Sequence, residues 1–344
     1  MKIPGINRFR GTVRRIKKRF APNGLILMYH SVNNWRSDPW SLCVTPEYFA
    51  EQLEVLQKYC FPMPLHQLVQ KCQDGKIPHH AVTITFDDGY ADNLHNAKPL
   101  LERYGIPATV FITTGYIGRA REFWWDELEG LLLQPGTLPQ TLCLTIRGNT
   151  HRWELDEAAY YSEDDYIRHL GLKPWEGKEG SRHFLYWALW QLLQPLRLDE
   201  QQEVLDEITA WAGTQPIARP THRPLMDEEL SMLHRCGLIE IGAHTITHPC
   251  LSEHPVAFQQ YEIQRNKAQL EDLLGCPVSS FAYPYGDYTP ETIGLVQEAG
   301  FACACTTVKE TVWRHTDCFQ LPRVQVEDWN GDEFGKRLLR WFHG

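Results

Sequence analysis

Asp87 and Asp88 stand side by side at the end of an apolar run, AVTITFDDGY over Ala81–Tyr90. Val82, Ile84 and Phe86 alternate with Thr83 and Thr85, the period of a strand. The acids fall where that strand gives way to a turn at Gly89. Two carboxylates at the end of a buried strand are costly unless they are paired or bind a cation. A lone DDG serves equally well as a helix N-cap and turn, so the pair gains meaning from what lies downstream. There, His244-Thr-Ile-Thr-His248 follows a second apolar strand and closes on Pro249. A histidine pair at this spacing arises easily by chance in a chain with 15 histidines, and its position at a strand end is what raises it. Two imidazoles and one carboxylate hold zinc with a position open for water, whereas a closed structural site needs a fourth ligand. No cysteine adjoins this pair.

The elements that must place these groups follow a regular rhythm. Leu25–His30 reads as a strand ending in His30. Thr45 caps a helix through Tyr59 with Pro46 at its first position. The Ala81 strand, a helix over Leu94–Tyr104 closed by Gly105, and a strand over Ala108–Thr113 continue the pattern. After Pro224 it resumes: a helix capped by Asp227, a strand Leu238–Ala243, a helix Ala257–Leu274, a strand Ser279–Tyr283, a helix from Thr289-Pro290, and strands Phe301–Thr306 and Leu321–Val326. Alternation of this kind means parallel βαβ units. Seven strands imply an α/β fold, a distorted (β/α)7 barrel. The polar residues His30, Asp87, Asp88, His244, His248, Pro284-Tyr285 and Arg323 then gather at the C-terminal strand ends, where barrel enzymes place their sites.

Between residues 119 and 219 the rhythm breaks. A helix over Phe123–Leu133, a hairpin turning at Gly148-Asn149 and a largely helical Phe184–Trp211 read as a mixed, mainly helical insertion. It carries most of the chain's 12 tryptophans, which either shape a substrate cleft or pack the insertion onto the barrel. The organisation is therefore a basic tail over 1–20, a first barrel part over 21–118, the insertion over 119–219 and a second barrel part over 220–344.

Composition narrows the partners. The formal net charge is −9, yet residues 1–20 hold eight Lys/Arg and no acid, leaving an acidic body that argues against nucleic acid. The tail is either a solvated arm or a contact for anionic lipid, each charge near the surface contributing about 1 kcal/mol. The basic run is followed by too short an apolar stretch for a signal peptide, and no segment approaches the roughly 20 apolar residues that span a bilayer. Ten cysteines without C-x-x-C spacing read as reduced thiols. A cytoplasmic protein, peripheral at the inner membrane face, is the expectation.

The sequence resembles the polysaccharide deacetylases of the NodB-homology type (carbohydrate esterase family 4). TFDDG at Thr85–Gly89, HTITH at His244–His248 and FAYPYG at Phe281–Gly286 look like their three motifs in order. LMYHSV and AYPYG resemble the circularly permuted subgroup acting on β-1,6-linked N-acetylglucosamine polymers. The resemblance implies a divalent metal, zinc before cobalt or another ion, held by Asp88, His244 and His248. It implies Asp87 as general base, His30 as general acid and the Tyr285 backbone N–H as an oxyanion donor. Water activated at the metal would then remove the N-acetyl group of a polysaccharide, oligosaccharide or lipid-linked sugar. One position departs from the pattern: Ala282 stands where the family commonly carries an arginine beside the base. Arg323, in LPRV, is the candidate to supply that charge, and Asp328 the candidate to orient His30. Trp329 either covers the acetyl pocket or packs. The alternatives are hydrolysis of a non-sugar amide at the same site and a catalytically silent carbohydrate-binding protein. Neither the sugar nor the oligomeric state is readable from these residues.

Overall fold

The structure, a computed structural model, describes residues 23–215, 218–235 and 237–343. The basic tail expected over 1–20 lies outside the described residues.

Seven strands form one parallel sheet: β1 (Gly24–Tyr29), β2 (Ala81–Phe86), β3 (Ala108–Ile112), β4 (Ile239–Ala243), β5 (Ser280–Ala282), β6 (Cys303–Cys305) and β7 (Val324–Gln325). Their spatial order is β6-β5-β4-β3-β2-β1-β7. The two ends of this order meet, because Leu321 pairs with Cys305 and, three residues later, Val324 pairs with Leu27. The final segment thus closes a distorted (β/α) barrel. A two-residue strand, Phe61–Pro62, adds to the start of β2; it is too short to leave a periodic signal.

Strand alternation sorts the side chains. Leu25, Leu27, Tyr29, Val82, Ile84, Phe86, Val110 and Ile241 point outward into a core shared with the surrounding helices. These include α1 (Pro46–Tyr59), α2 (Lys98–Tyr104), α6 (Asp227–His234), α7 (Val256–Leu274), α8 (Pro290–Glu298) and α9 (Gly331–His343). Thr45 caps α1 through its side chain, as its sequence predicts, and Gly105 (φ 64) ends α2 in the left-handed conformation. The first turn of the expected 94–104 helix is instead a π-turn over Asn93–Ala97, a geometry that recurs near functional sites.

Three local expectations shift. Met226, one residue before Asp227, is the cap position of α6, and Glu229 accepts from its N–H at 2.9 Å. The insertion hairpin pairs Thr141–Ile146 with Asn149–Glu154 and turns at Arg147 (φ 48) and Gly148 (φ 80). Two consecutive positive φ values match the twist of a two-residue hairpin, which moves the turn one residue towards the N-terminus. Trp329 packs against Trp341 at 5.9 Å and under Arg337 at 4.0 Å, so it anchors α9 rather than covering a pocket.

The insertion has its own core, built from α3 (Trp124–Leu132), α4 (Arg182–Leu193), α5 (Leu198–Ala212) and the hairpin. Tyr90 and Tyr116, which come from the barrel's loops, are buried in that same core. No helix of the described residues is long and apolar enough to cross a membrane, and the described cysteines are all free thiols.

Candidate metal and catalytic site

Strand alternation and one left-handed residue bring the two aspartates to their partners. Asp87 continues the inward row of Thr83 and Thr85, so its carboxylate points into the top of the barrel. By alternation Asp88 would point outward. It takes φ 71 instead, a sparsely populated conformation for a non-glycine residue, and its carboxylate turns back to the site. Gly89 follows at φ 88, with its carbonyl accepting from Leu225 N at 3.0 Å.

Arg323 meets Asp87 in a two-point grip, Nη1 to Oδ1 at 2.6 Å and Nη2 to Oδ2 at 2.7 Å. The guanidinium is fully buried and makes two further hydrogen bonds, Nε to the Thr306 carbonyl at 2.9 Å and Nη1 to Thr85 Oγ1 at 3.3 Å. It precedes β7 rather than standing at a C-terminal strand end, and reaches the site across the barrel interior. Burial pushes the Asp87 carboxyl up, but the Arg323 charge outweighs it and holds the group well below the usual carboxylate range. Asp87 is therefore an anion at any working pH.

Asp88, His244 and His248 converge, with their potential ligand atoms within 4.8 Å of one another. His244 Nε2 and His248 Nε2 lie 3.6 and 3.4 Å from Asp88 Oδ1. His244 Nδ1 donates to the Ala282 carbonyl at 2.7 Å, which fixes the tautomer and leaves Nε2 with its lone pair facing Asp88. Burial pushes both imidazoles below the ordinary histidine range, so they are neutral and fit to ligate. Burial and the neighbouring Asp87 push the Asp88 carboxyl well up. A buried carboxylate without a counter-cation is costly, and a divalent ion between these three groups would remove that cost. The residues fit a metal.

The HTITH loop is held from beneath. Glu262 on α7, buried, accepts from Ile246 N, Thr247 N and Thr247 Oγ1, each at 2.8 Å. Asn266, one turn on, accepts from His244 N at 3.1 Å and donates to Thr114 Oγ1 at 2.9 Å. Gly115 donates to Ile246 O at 2.8 Å; a Cβ there would stand 2.6 Å from that oxygen. Within the loop Thr245 and His248 take positive φ values of 64 and 57. The insertion and the third motif wall the site: Trp125 and Tyr285 lie 4.9 and 4.5 Å from the His248 ring. Tyr285 itself adopts φ 57 inside the Pro284–Gly286 turn.

His30 follows β1, and its backbone carbonyl is held by Asn93 Nδ2 at 2.8 Å. Burial lowers the imidazole to about 4, against the opposing pull of Asp87. Its Nδ1 is buried without a hydrogen-bond partner. Asp328 does not orient it: that carboxylate accepts from Thr45 N at 2.8 Å and Thr45 Oγ1 at 2.9 Å at the start of α1. His79, His80 and His95 lie exposed, away from the site.

Glu262, Asn266, Trp125 and the Ala282 carbonyl are the site's supports that sequence reasoning misses. Glu262, Asn266 and Trp125 sit in no motif, and Ala282, though within FAYPYG, acts through a backbone carbonyl that its side chain does not announce. Glu262 and Asn266 lie four residues apart on α7, a spacing that places them on one helix face, but nothing in the sequence says that this face meets His244–His248.

Comparison with known proteins adds to this geometry. The family model for polysaccharide deacetylases matches residues 74–135 and 201–304. YxkH of Bacillus subtilis is 30% identical over 141 residues, 39% of this chain and 48% of YxkH. A poly-β-1,6-N-acetyl-D-glucosamine N-deacetylase of Staphylococcus aureus is 30% identical over 105 residues, 30% of this chain and 35% of that enzyme. The chain thus spans about half the length of the first relative and about a third of the second. Among solved structures, the Streptococcus pyogenes deacetylase PplD superposes with a TM-score of 0.58 at 16% identity, covering 94% of this chain and all of PplD. IcaB from Ammonifex degensii gives 0.56 at 18% identity, covering 94% of this chain and 98% of IcaB; at such identities both speak for the fold alone. Taken with the ordered TFDDG and HTITH motifs, which fall within them, these matches identify residues 74–135 and 201–304 as those of the polysaccharide deacetylase family.

Proposed function

We propose that the chain is a metal-dependent hydrolase that removes N-acetyl groups from an N-acetylated carbohydrate. The observation that carries the reading is the convergence of Asp88, His244 and His248 beside a second aspartate, Asp87, held ionised by Arg323. A silent binding protein has no use for a base so placed. A divalent ion held by Asp88, His244 and His248 would supply Lewis-acid polarisation of the acetyl carbonyl and acidify water; zinc suits a donor set of two imidazoles and one carboxylate.

The chain's own residues do the remainder. Asp87 takes the proton of the attacking water, and the two-point grip of Arg323 fixes the direction of its lone pairs. The Tyr285 N–H faces the growing negative charge on the carbonyl oxygen; loss of one such donor typically costs about 2.7–4 kcal/mol of transition-state stabilisation. His30 protonates the departing amine. It is neutral at rest, so the proton it delivers is the one Asp87 takes from the water, handed on before the C–N bond breaks, and the Asp87 charge favours the imidazolium. Acetate and a free amino sugar are the products. The substrate class follows the staphylococcal relative, and the N-terminal LMYHSV, with His30 ahead of the aspartates, supports a place in the permuted subgroup. On charge alone, the basic residues of 1–20 support a peripheral contact with anionic lipid, and the free thiols fit a cytoplasmic setting.

Acetate release from N-acetylated oligosaccharides and glycolipids, measured with metal-loaded protein, tests this reading. Release from a sugar and not from simple acetamides supports it; bound metal with no release from any sugar refutes it.

A further inference from the structure

Four tryptophans form a continuous surface that leads outward from the site. Trp187 and Trp190 lie three residues apart on α4 and so share one helix face; their rings stack at 5.4 Å and 16°. Trp40, from the loop after β1, stands 4.6 Å from Trp190 and 5.8 Å from Trp187. Trp175 completes the group at 6.2 Å from both Trp40 and Trp187. On the inner side Trp190 meets the Tyr285 ring at 6.0 Å, and Tyr285 meets His248 at 4.5 Å. One ring, Tyr285, therefore separates this ledge from a metal-ligand candidate.

The ledge is built firmly and left open. Trp40 Nε1 donates to Tyr186 Oη at 2.6 Å. Gln325 Nε2 donates to the Trp40 and Ser41 carbonyls at 3.3 and 2.9 Å. Asp38 accepts from Leu42 N and Cys43 N, both at 2.9 Å, and the Lys173 ammonium bonds Ser41 Oγ. Yet Trp175 is 57% exposed, and Trp40, Trp187 and Trp190 are each partly exposed. Trp124, whose ring meets Trp190 at 5.9 Å from the insertion core, is by contrast 2% exposed. A large apolar side chain left in water forgoes about 1.5–3 kcal/mol of burial, and here four such rings lie side by side. Aromatic rings held in place before the ligand arrives are what a binding surface needs. All four tryptophans lie outside the residues matched by the family model, 74–135 and 201–304.

We propose that the ledge is a glycan subsite, in which successive sugar rings of an N-acetylated oligosaccharide lay their apolar C–H faces on the four indoles. The sugar being deacetylated would then sit at Asp87 and Asp88. Flat rings whose edges carry N–H donors suit a sugar, which has apolar faces and hydroxyl edges; an acyl chain calls for a groove of aliphatic side chains. The inference rests on the deacetylase reading of the site and adds that the substrate extends beyond one sugar.

Initial rates of acetate release from an N-acetylglucosamine series, dimer to hexamer, test it with metal-loaded wild type, Trp175→Ala and Trp187→Ala. Trp175 is exposed enough for its variant to fold, and Trp187→Phe provides a second ring-conserving control. The expected result is a wild-type kcat/KM that rises with chain length, and a hexamer-to-dimer ratio that falls about tenfold in the alanine variants through KM. Trp187→Phe should recover most of it. Equal losses on short and long substrates, or no change, overturn the ledge while leaving the deacetylase intact. A loss confined to a lipid-linked monosaccharide also overturns it, in favour of an acyl chain. Absence of acetate release by wild type from every member refutes the underlying reading instead.

Discussion

The guanidinium of Arg323 and the carboxylate of Asp87 face each other fork to fork, at 2.6 and 2.7 Å, with no solvent exposure at the arginine. Residues 236 apart in sequence thus form one unit. The arginine supplies the charge that the third motif lacks at Ala282. It also fixes the direction of the lone pairs that the two Asp87 oxygens keep free.

Removing that charge should be severe. Arg323→Ala leaves a buried carboxylate without its partner, a change that typically costs about 3–5 kcal/mol of stability. Arg323→Lys keeps the charge but not the fork. It is expected to fold, to retain metal, and to lose about a hundredfold in kcat because the base is misaimed. Circular dichroism, metal content and acetate release on the same samples check this; an Arg323→Lys enzyme of wild-type turnover would contradict it.

The metal should depend on groups that do not touch it. Glu262→Gln keeps the shape of the side chain but weakens three hydrogen bonds to the HTITH loop. Loss of such an outer support typically costs about 10–100-fold in metal affinity. Competition with a chelator of known affinity measures it. Asp88→Asn or His248→Ala should abolish metal retention outright, and chelation of wild type should abolish turnover reversibly.

Gly115→Ala adds a methyl group 2.6 Å from the Ile246 carbonyl oxygen and 3.0 Å from Ile246 Cγ2. Backbone cannot yield there as a side-chain tip can. We expect about 1–3 kcal/mol of destabilisation together with weaker metal binding, since the displaced loop carries both histidines. Urea unfolding of the metal-free variant separates the two effects.

A pH-dependent contribution comes from the segment that braces the TFDDG turn. Arg223 grips Glu229 at 2.6 and 2.7 Å, and its neighbours bond the turn, Ala91 N to Arg223 O and Leu225 N to Gly89 O, each at 3.0 Å. The Arg223 hydrogen bond lowers the Glu229 carboxyl to about 2. A depressed carboxyl contributes stability that is complete above the unfolded-state value near 4.5 and is lost as pH falls towards about 2. Glu229→Gln should therefore be less stable than wild type at neutral pH, by about 0.5–1 kcal/mol for a partly exposed pair. The gap should close in acid, and unfolding midpoints across that range read it directly.

How far the sequence carries the account differs from residue to residue. The outward row Val82, Ile84, Phe86 and the inward row Thr83, Thr85, Asp87 are legible because a strand has period 2 and no competing pattern. The caps at Thr45 and Gly105 are legible because their chemistry is local. Asp88 is legible as an acid but not as one that faces the site, since that depends on a positive φ which the sequence does not announce. The closure of the barrel is likewise hidden. It rests on Leu321 and Val324 pairing with different strands, and β7 keeps two regular residues where periodicity suggests six. The carboxylate sought for His30 illustrates the opposite error. Asp328 lies close to the last strand in sequence, but Thr45, at the N-cap of α1, already claims it. The supports Glu262 and Asn266 belong to a helix whose side chains read as ordinary surface until the loop above them is seen.

The central claim is that Asp87 is the base beside a metal held by Asp88, His244 and His248. Acetate release from N-acetylglucosamine oligomers by metal-loaded wild type and by Asp87→Asn, with metal content measured in both, tests it most directly. The account predicts release by wild type and a fall of about 10²–10⁴-fold in the variant with metal retained. An Asp87→Asn protein that keeps its metal and turns over at the wild-type rate would contradict it.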